Sequence, residues 1–495
     1  MRSFTDTVFA LPLKPRTALV TRDAEGWSEA LATMGIRPVE DAAAESGPPD
    51  LVVAPAERIG AALRQAPPCL IVEGRRAGRG LRRRGYAVRR FLPLPDPVSP
   101  KVLLPLAKRQ QLRYAVDRSP PSVAWKRLRN RLAIPLLAAG FPPPGRQLVA
   151  IGSRERGPPF LVAEASRRFE LPLSPEWLLV PASGDALSRG TFHLFPPGQE
   201  DPEWVLKFAR VPGYSESFDR EERGLSLAAA AGGEVTRHAP RLIGRFTFEG
   251  LHASVESAAL GQSLVGYLGS AASARDKLAA IDRIAGWAVA IARSTASEPD
   301  RLATERVRIR TEVLPRWTEY GASSAILDQV PPVPGVLQHN DLGSWNVVVD
   351  ACDASRPSFT ALDWESARPV GMPLWDLWYF LQDALACLDG VSGLSENDLA
   401  RREAHAVRLF RGELQNSKIL FEWTRRGVVA CGIPDRAVGT LATLCFLDHG
   451  LSQSNREDAA RRHGSQARAL DMLWPSLARR WLDDPALGPG WDRWR

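Results

Sequence analysis

The chain has 495 residues, 44% hydrophobic and 24% charged, with a formal net charge of +8 at pH 7. That length exceeds one ordinary core, so about two or three domains are expected, and the composition excludes a disordered or fibrous chain. The positive charge admits polyanions, nucleotides or an acidic membrane face as partners without requiring one. Five scattered cysteines, odd in number and without a CxxC pair, argue against a disulfide framework and a zinc site. The first apolar patch, VFALPL, is too short for a secretory core, and no run approaches the ~20 apolar residues of a membrane span. The expectation is a cytoplasmic protein with no transmembrane segment, for which peripheral membrane contact stays open.

In chain order, RTALVT predicts a buried strand, EGWSEALATMGI a helix ending near Gly35, DLVVAP a strand, AERIGAALRQA a helix and PCLIVEG a strand. Alternation with short connections predicts a small α/β domain with a parallel sheet, assigned to residues 1–150. A dinucleotide or adenosyl cofactor in such a sheet needs a glycine-rich turn after the first strand, where backbone must approach the ligand. Here RDAEGW offers one glycine. Residues 15–150 resemble a shortened class I methyltransferase-type domain without its cofactor motif, which implies a degenerate scaffold or a partner-docking domain. The run from Arg75 to Arg90 holds eight arginines that could neutralise phosphates, but Tyr86 is its one clear stacking aromatic. A solvated basic face is the preferred reading and nucleic acid the minority one.

From about residue 170 the pattern changes. EWLLVPASGD, GTFHLFPP and EWVLKFAR predict antiparallel strands, FDREERGLSLAAAAG a helix, and PRLIGRFTFEG with LHASVESAALG two more strands. Beyond Ser263 the apolar spacing is mostly helical. A sheet-rich lobe, residues 151–262, is thus expected before a helical one, residues 263–495.

The chemistry concentrates in QHNDLGSWNVVVD, where His339, Asp341 and Asn346 follow the spacing His-x-Asp-x-x-x-x-Asn, and in TALDWESA, where Asp363 stands 22 positions after Asp341. Phosphoryl transfer needs positioning and charge neutralisation more than covalent help. Two hard oxygens must hold magnesium on the nucleotide phosphates, and a third carboxylate must face the attacking hydroxyl. VVV, the polar stretch ACDASRPS and FTALDW predict a hairpin that brings Asn346 near Asp363. Those two become the metal ligands and Asp341 the base.

Together with ALDWESARPVGMPLWDLWYF, these residues resemble the aminoglycoside phosphotransferase and choline kinase-like family over about residues 175 to 450. The resemblance implies an α+β protein-kinase-like two-lobe fold, with an antiparallel-sheet N-lobe and a helical C-lobe, preceded here by the α/β parallel-sheet domain. It implies ATP and Mg2+ as cofactors, Asp341 as catalytic base, Asn346 and Asp363 on the metal, and His339 and Asp376 as supports of the loop. Asn340 stands where the family has glycine, a place Asn tolerates better than most residues. Lys207, interrupting the apolar strand WVLKFAR, is the lysine such a lobe needs for nucleotide phosphates. Glu221, in REERGL, is the acid expected to hold it, with Glu222 in reserve. Ser183 and Gly184 are candidates for a loop over the phosphates, and Ser257, in VESAALG, for the connector that meets adenine.

No GxxxxGK[ST], HExxH or GxSxG pattern occurs, so Walker-type, zincin and α/β-hydrolase readings lack support. The expected acceptor is a hydroxyl of a small molecule or glycan. Arginines of the helical lobe, such as Arg308, Arg310, Arg401 and Arg402, favour a neutral or anionic alcohol over a polycation. The alternative is a non-catalytic nucleotide-binding scaffold that recruits a partner through the basic N-terminal domain.

Overall fold

The structure is a computed structural model that describes the chain except residues 1–2, 22–25, 40–47, 65, 76–77, 79, 95–101, 107, 119–131, 173–175, 183–186, 352–357, 392–395, 463–472, 485, 489–490 and 492–495. It divides into two compact units. One comprises Met1–Phe218 and Leu242–Ala258, the other Asp219–Arg241 and Ala259–Arg495.

The first unit holds two sheets. A seven-stranded sheet contains β1 (Thr17–Val20), β2 (Arg37–Val39), β3 (Leu51–Pro55), β4 (Cys69–Gly74), β5 (Ala87–Leu94), β6 (Val102–Pro105) and β7 (Leu148–Ser153), ordered β2-β1-β3-β4-β7-β5-β6. The helices α1 (Trp27–Thr33) and α2 (Ile59–Arg64) connect its first strands. Pairings among β2, β1, β3 and β4 are parallel, as crossover helices require. The expectation of an all-parallel sheet is corrected beyond β4, since β7 runs antiparallel to both β4 and β5, and β6 antiparallel to β5. The sheet is mixed.

The second sheet, ordered β11-β12-β10-β9-β8, is antiparallel throughout and consists of β8 (Glu176–Val180), β9 (Gly190–Phe195), β10 (Trp204–Phe208), β11 (Leu242–Phe248) and β12 (Leu251–Ser257). One apolar core joins the two sheets: Phe91 on β5 lies 5.9 Å from Trp177 on β8, whose ring meets Phe192 edge-on at 5.5 Å. The N-terminal VFALPL patch has a structural use here. Val8, Phe9, Ala10 and Leu11 are buried in that core, with Phe9 4.6 Å from Phe208. Beside them the buried Asp6 pairs with Arg210 at 2.7 Å and accepts the Ala182 N–H at 2.8 Å.

The second unit is mainly helical. Its longer helices include α3 (Ala274–Ser294), α4 (Trp375–Leu388), α5 (Glu396–Phe410), α6 (Ser417–Cys431), α7 (Val438–Arg462) and α8 (Leu473–Asp483). Most of the preceding helix αC (Glu216–Ala231) also belongs to it. Ser273 caps α3 by accepting the Asp276 N–H at 3.1 Å. α4 carries an apolar run, WDLWYFLQDALACL, and all but a few of its side chains are buried. Between the helices, β13 (Gln262–Ser263), β15 (Val347–Asp350) and β16 (Ser358–Ala361) form a small antiparallel sheet, while β14 (Val336–Gln338) pairs with β17 (Arg368–Gly371). Glu305, Arg308, Arg368 and Asp448 close a ring of ion pairs at 2.6–3.0 Å that ties β17 to α7. Among the described residues no helix is long and apolar enough to cross a membrane.

Candidate active site

The hairpin anticipated after Asn346 forms with Val347 opposite Ala361, Val348 opposite Thr360 and Val349 opposite Phe359. The three valines are buried, which pins the register because a one-residue slip would turn them to the other face. The ladder continues one step further, as the Leu362 N–H donates to the Asn346 carbonyl at 2.6 Å. Asn346 therefore lies opposite Leu362, next to Asp363. Residues 352–357, the polar stretch between the hairpin's two strands in the sequence, lie outside the described residues.

The loop from His339 to Asn346 is held against one face of α4. Asp376 accepts the backbone N–H groups of His339 and Asn340, each at 2.7 Å. Tyr379 donates its hydroxyl to Asp341 Oδ1 at 2.8 Å, and Asp383 accepts the Ser344 N–H at 2.8 Å. Positions 376, 379 and 383 share a helix face, so one rigid element positions the whole loop. Asp383 is in turn paired with the buried Arg402. The sequence reading missed Tyr379 and Asp383. Their signal was present as polar groups at i, i+3 and i+7 in a helix whose one other polar residue is Gln382.

Asn346 closes the loop from the other side, its Nδ2 donating to Asp341 Oδ2 at 2.9 Å and to the Asp341 carbonyl at 3.0 Å. Both donations use the amide nitrogen. The Oδ1 of Asn346 has no hydrogen-bond partner among the described residues, which leaves a hard oxygen available beside Asp363. Three non-glycine residues around the loop have left-handed backbones: Asn340 at φ 63°, Asp363 at 58° and Leu374 at 71°. Such conformations persist only where surrounding contacts determine them. For Asn340 and Asp363 the type of side chain eases the cost.

Burial governs the electrostatics. It pushes the Asp341 carboxyl up to about 7, against the hydrogen bond from Tyr379; the nearby Asp363 pushes the same way and the Arg456 charge opposes. Burial also raises Asp376 to about 6, with the two N–H donors pulling it back. The Tyr379 phenol is held well above its ordinary range by burial and then by Asp341. Burial lowers His339 to about 4. Its Nε2 donates to the Leu362 carbonyl at 2.8 Å while Nδ1 accepts the Asp341 N–H at 3.3 Å, an assignment that fits a neutral ring.

His449 on α7 is likewise lowered to about 4 by burial, and its ring stacks on Tyr379 at 4.2 Å. A histidine whose folded value lies below the unfolded one binds fewer protons when folded, so stability falls as pH drops from about 6.5 towards about 4, by at most roughly 1.4 kcal/mol per pH unit for each such residue. His449→Phe keeps the stack and removes one titration. The variant is expected to lose less stability than the parent between pH 7 and pH 4.5 in denaturant titrations; parallel losses would rule this out.

In the first unit, Lys207 sits mid-strand on β10, opposite Thr191 of β9 and Ser254 of β12. Its Nζ lies 3.1 Å from Glu256 Oε2, and the Glu256 side chain is 2% exposed. Glu256 was not singled out from the sequence, which placed it in the connector. Ser257 is the half-buried last residue of β12, opposite Trp204. Ser183 and Gly184 lie outside the described residues. In the second unit, Glu221 is buried on αC three residues before Gly224, hence on the same helix face. A Cβ on Gly224 would come 1.9 Å from the Trp364 carbonyl oxygen, so this face of αC lies directly against the residue after Asp363.

Among the described residues no group of three or more His, Cys, Asp or Glu side chains is arranged to hold a metal. The available donor set is the Asn346 oxygen and the Asp363 carboxylate, hard oxygens suited to magnesium, which keeps several waters.

Residues 179–410 match the model of the phosphotransferase enzyme family known as APH. Among solved structures, the GDP and kanamycin complex of APH(2")-IIia shares 15% identity, with coverage of 66% of this chain and 97% of that one and a TM-score of 0.36. The aminoglycoside phosphotransferase APH(3'')-Id from Streptomyces rimosus, in complex with ADP and streptomycin, shares 18%, with coverage of 51% and 88% and a TM-score of 0.29. The bifunctional kinase-methyltransferase WbdD shares 13%, with coverage of 85% of each chain and a TM-score of 0.25. Among curated proteins none matches. These likenesses assign no residue and no substrate to this chain.

Proposed function

Taking residues 179–410 as those of an enzyme of the phosphotransferase family, we propose that the chain transfers the terminal phosphoryl group of ATP to a hydroxyl of a small molecule or glycan. The observation that carries this reading is the hairpin that sets Asn346 beside Asp363 while the Asn346 amide grips the Asp341 carboxylate. Three oxygen-bearing groups with distinct duties are thereby gathered on one scaffold.

Asn346 and Asp363 would hold magnesium, which when bound neutralises phosphate charge and aligns the transferring group. Asp341 orients the acceptor hydroxyl and takes its proton. The hydrogen bonds from Tyr379 and Asn346 fix the direction of that carboxylate before the acceptor arrives, which lowers the ordering cost of reaction. Lys207 is assigned to the nucleotide phosphates and Glu221 to the acid that orients it. The pairing of half-buried Lys207 with buried Glu256 supports a functional lysine, because an apolar pair of similar volume would serve the sheet at least as well. The seven-stranded sheet, whose first strand leads into a segment with one glycine, is assigned no cofactor.

Magnesium titration of ATP-dependent transfer across neutral, anionic and cationic alcohols tests the reading. Asp363→Asn should abolish acceptor-stimulated turnover, and Asn346→Ala should raise the magnesium needed for half-maximal rate by roughly 10- to 100-fold, the range typical of lost metal-site support. Transfer indifferent to Asp363→Asn would defeat the assignment. Nucleotide binding without stimulation by any acceptor would instead identify a scaffold.

A further inference from the structure

From Leu132 to Phe141 the sequence reads LAIPLLAAGF, without one polar side chain. Residues 132–138 are helical, and Ile134 and Leu137 are buried on one side of that helix, in a core with Leu104, Leu112 and Leu148. The other side is just as apolar but meets water. Leu132 and Leu136, four positions apart and so neighbours on the helix surface, are 66% and 61% exposed, and Phe141 is 66% exposed. Backbone bonds gather the three. The Phe141 N–H donates to the Leu136 carbonyl and the Gly140 N–H to the Leu137 carbonyl, each at 2.9 Å, with Gly140 left-handed at φ 86°. This closure folds the chain at Phe141 back onto the turn that carries Leu136. A helix apolar all round calls for cover on both sides, and here one side has none.

Basic groups rim the patch. Arg90 Nη2 donates to the Gly140 carbonyl at 2.9 Å, immediately before Phe141. The chain then turns, with the Arg146 N–H donating to the Pro143 carbonyl at 3.3 Å, and Arg146 is exposed. Two residues on, Leu148 pairs with Gly74, which precedes the exposed Arg75. Between Asp117 and Glu155 the sequence holds seven Lys or Arg residues and no acid.

This combination selects a partner. Three side chains present roughly a few hundred Å2, well short of the roughly 800 Å2 that each partner buries in a standard protein interface. A nucleic-acid backbone would use the arginines and leave the leucines in water. A bilayer surface with anionic lipid takes both, since apolar side chains enter the acyl boundary while guanidinium groups stay among the head groups. We propose that Leu132, Leu136 and Phe141, rimmed by Arg90 and Arg146, dock this unit on such a surface. The contact is interfacial and uses no residue of the catalytic loop, so it stands apart from the phosphotransferase reading.

Co-sedimentation of the full chain with phosphatidylcholine vesicles, with and without an equal share of phosphatidylglycerol, tests the surface. Partitioning into the anionic vesicles is expected to be at least about tenfold stronger. Leu136→Gln combined with Phe141→Gln should weaken it by about tenfold or more, and Arg146→Gln by about threefold to fivefold. Val429→Gln, at an apolar residue of the second unit that is 76% exposed, is the control and should bind as the parent does. Equal partitioning into both kinds of vesicle, or binding that survives the paired substitution, would overturn the proposal. So would a dimer that forms without lipid in sedimentation velocity and dissolves on the paired substitution, because the occupant would then be a second copy. Single-stranded DNA binding that the paired substitution weakens as much as vesicle binding would replace the bilayer by a nucleic acid.

Discussion

Replacing Asp341 by Asn is expected to lower phosphoryl transfer by about three orders of magnitude, within the range for losing a positioned general base, with little change in nucleotide affinity. The local structure can absorb the substitution. Asn346 Nδ2 needs an acceptor at its 2.9 Å position, which the amide oxygen of the new residue supplies. Tyr379 now donates at 2.8 Å on the other side, and its hydroxyl can rotate to accept from the new amide nitrogen instead. The loop therefore keeps its contacts to α4 while losing the atom that takes the proton. Single-turnover transfer, set beside calorimetric titration of ATP with magnesium, separates the two effects. Turnover within about tenfold of the parent would remove Asp341 from the role of base.

Gly224→Ala is expected to destabilise the protein by about 2–3 kcal/mol, at the upper end for forced overpacking, and to impair transfer as well. The added carbon would meet the Trp364 carbonyl oxygen at 1.9 Å and its carbonyl carbon at 2.7 Å, and neither can swing aside as a flexible side chain could. Trp364 is fully buried, its indole N–H donating to the Ala361 carbonyl at 2.9 Å. Relief must come from moving αC, which carries Glu221, or the turn that carries Asp363. Gly60→Ala on α2 provides the control, since a carbon added there meets nothing within 4 Å and its helical setting favours alanine. Urea denaturation of both variants checks the contrast. Equal stability of Gly224→Ala and its parent would mean that the helix and the turn do not constrain each other.

The hairpin was legible because Val347, Val348 and Val349 demand burial and a polar stretch separates them from FTALDW, so register and the meeting of Asn346 with Asp363 follow from short-range chemistry. Lys207 was legible as an interruption in an apolar strand. Glu256 was not, since its relation to Lys207 arises from the antiparallel pairing of β10 with β12, in which Ser254 lies opposite the lysine and Glu256 two residues along on the same side. The expected parallel sheet failed where β7 enters between β4 and β5. Buried apolar strands look alike in sequence whichever way they run.

The sequence by itself determined the chemical inventory of the loop, the hairpin that follows it and the alternation of strands and helices, all of which depend on neighbours within a few tens of residues. Only the tertiary structure decided what holds Asp341. Tyr379 reaches it from a helix 38 positions away, and His449 backs that tyrosine from a helix later still. Those contacts depend on how α4 and α7 pack in the second unit, and packing between distant helices is set by the three-dimensional fit of many side chains at once, which no local pattern encodes.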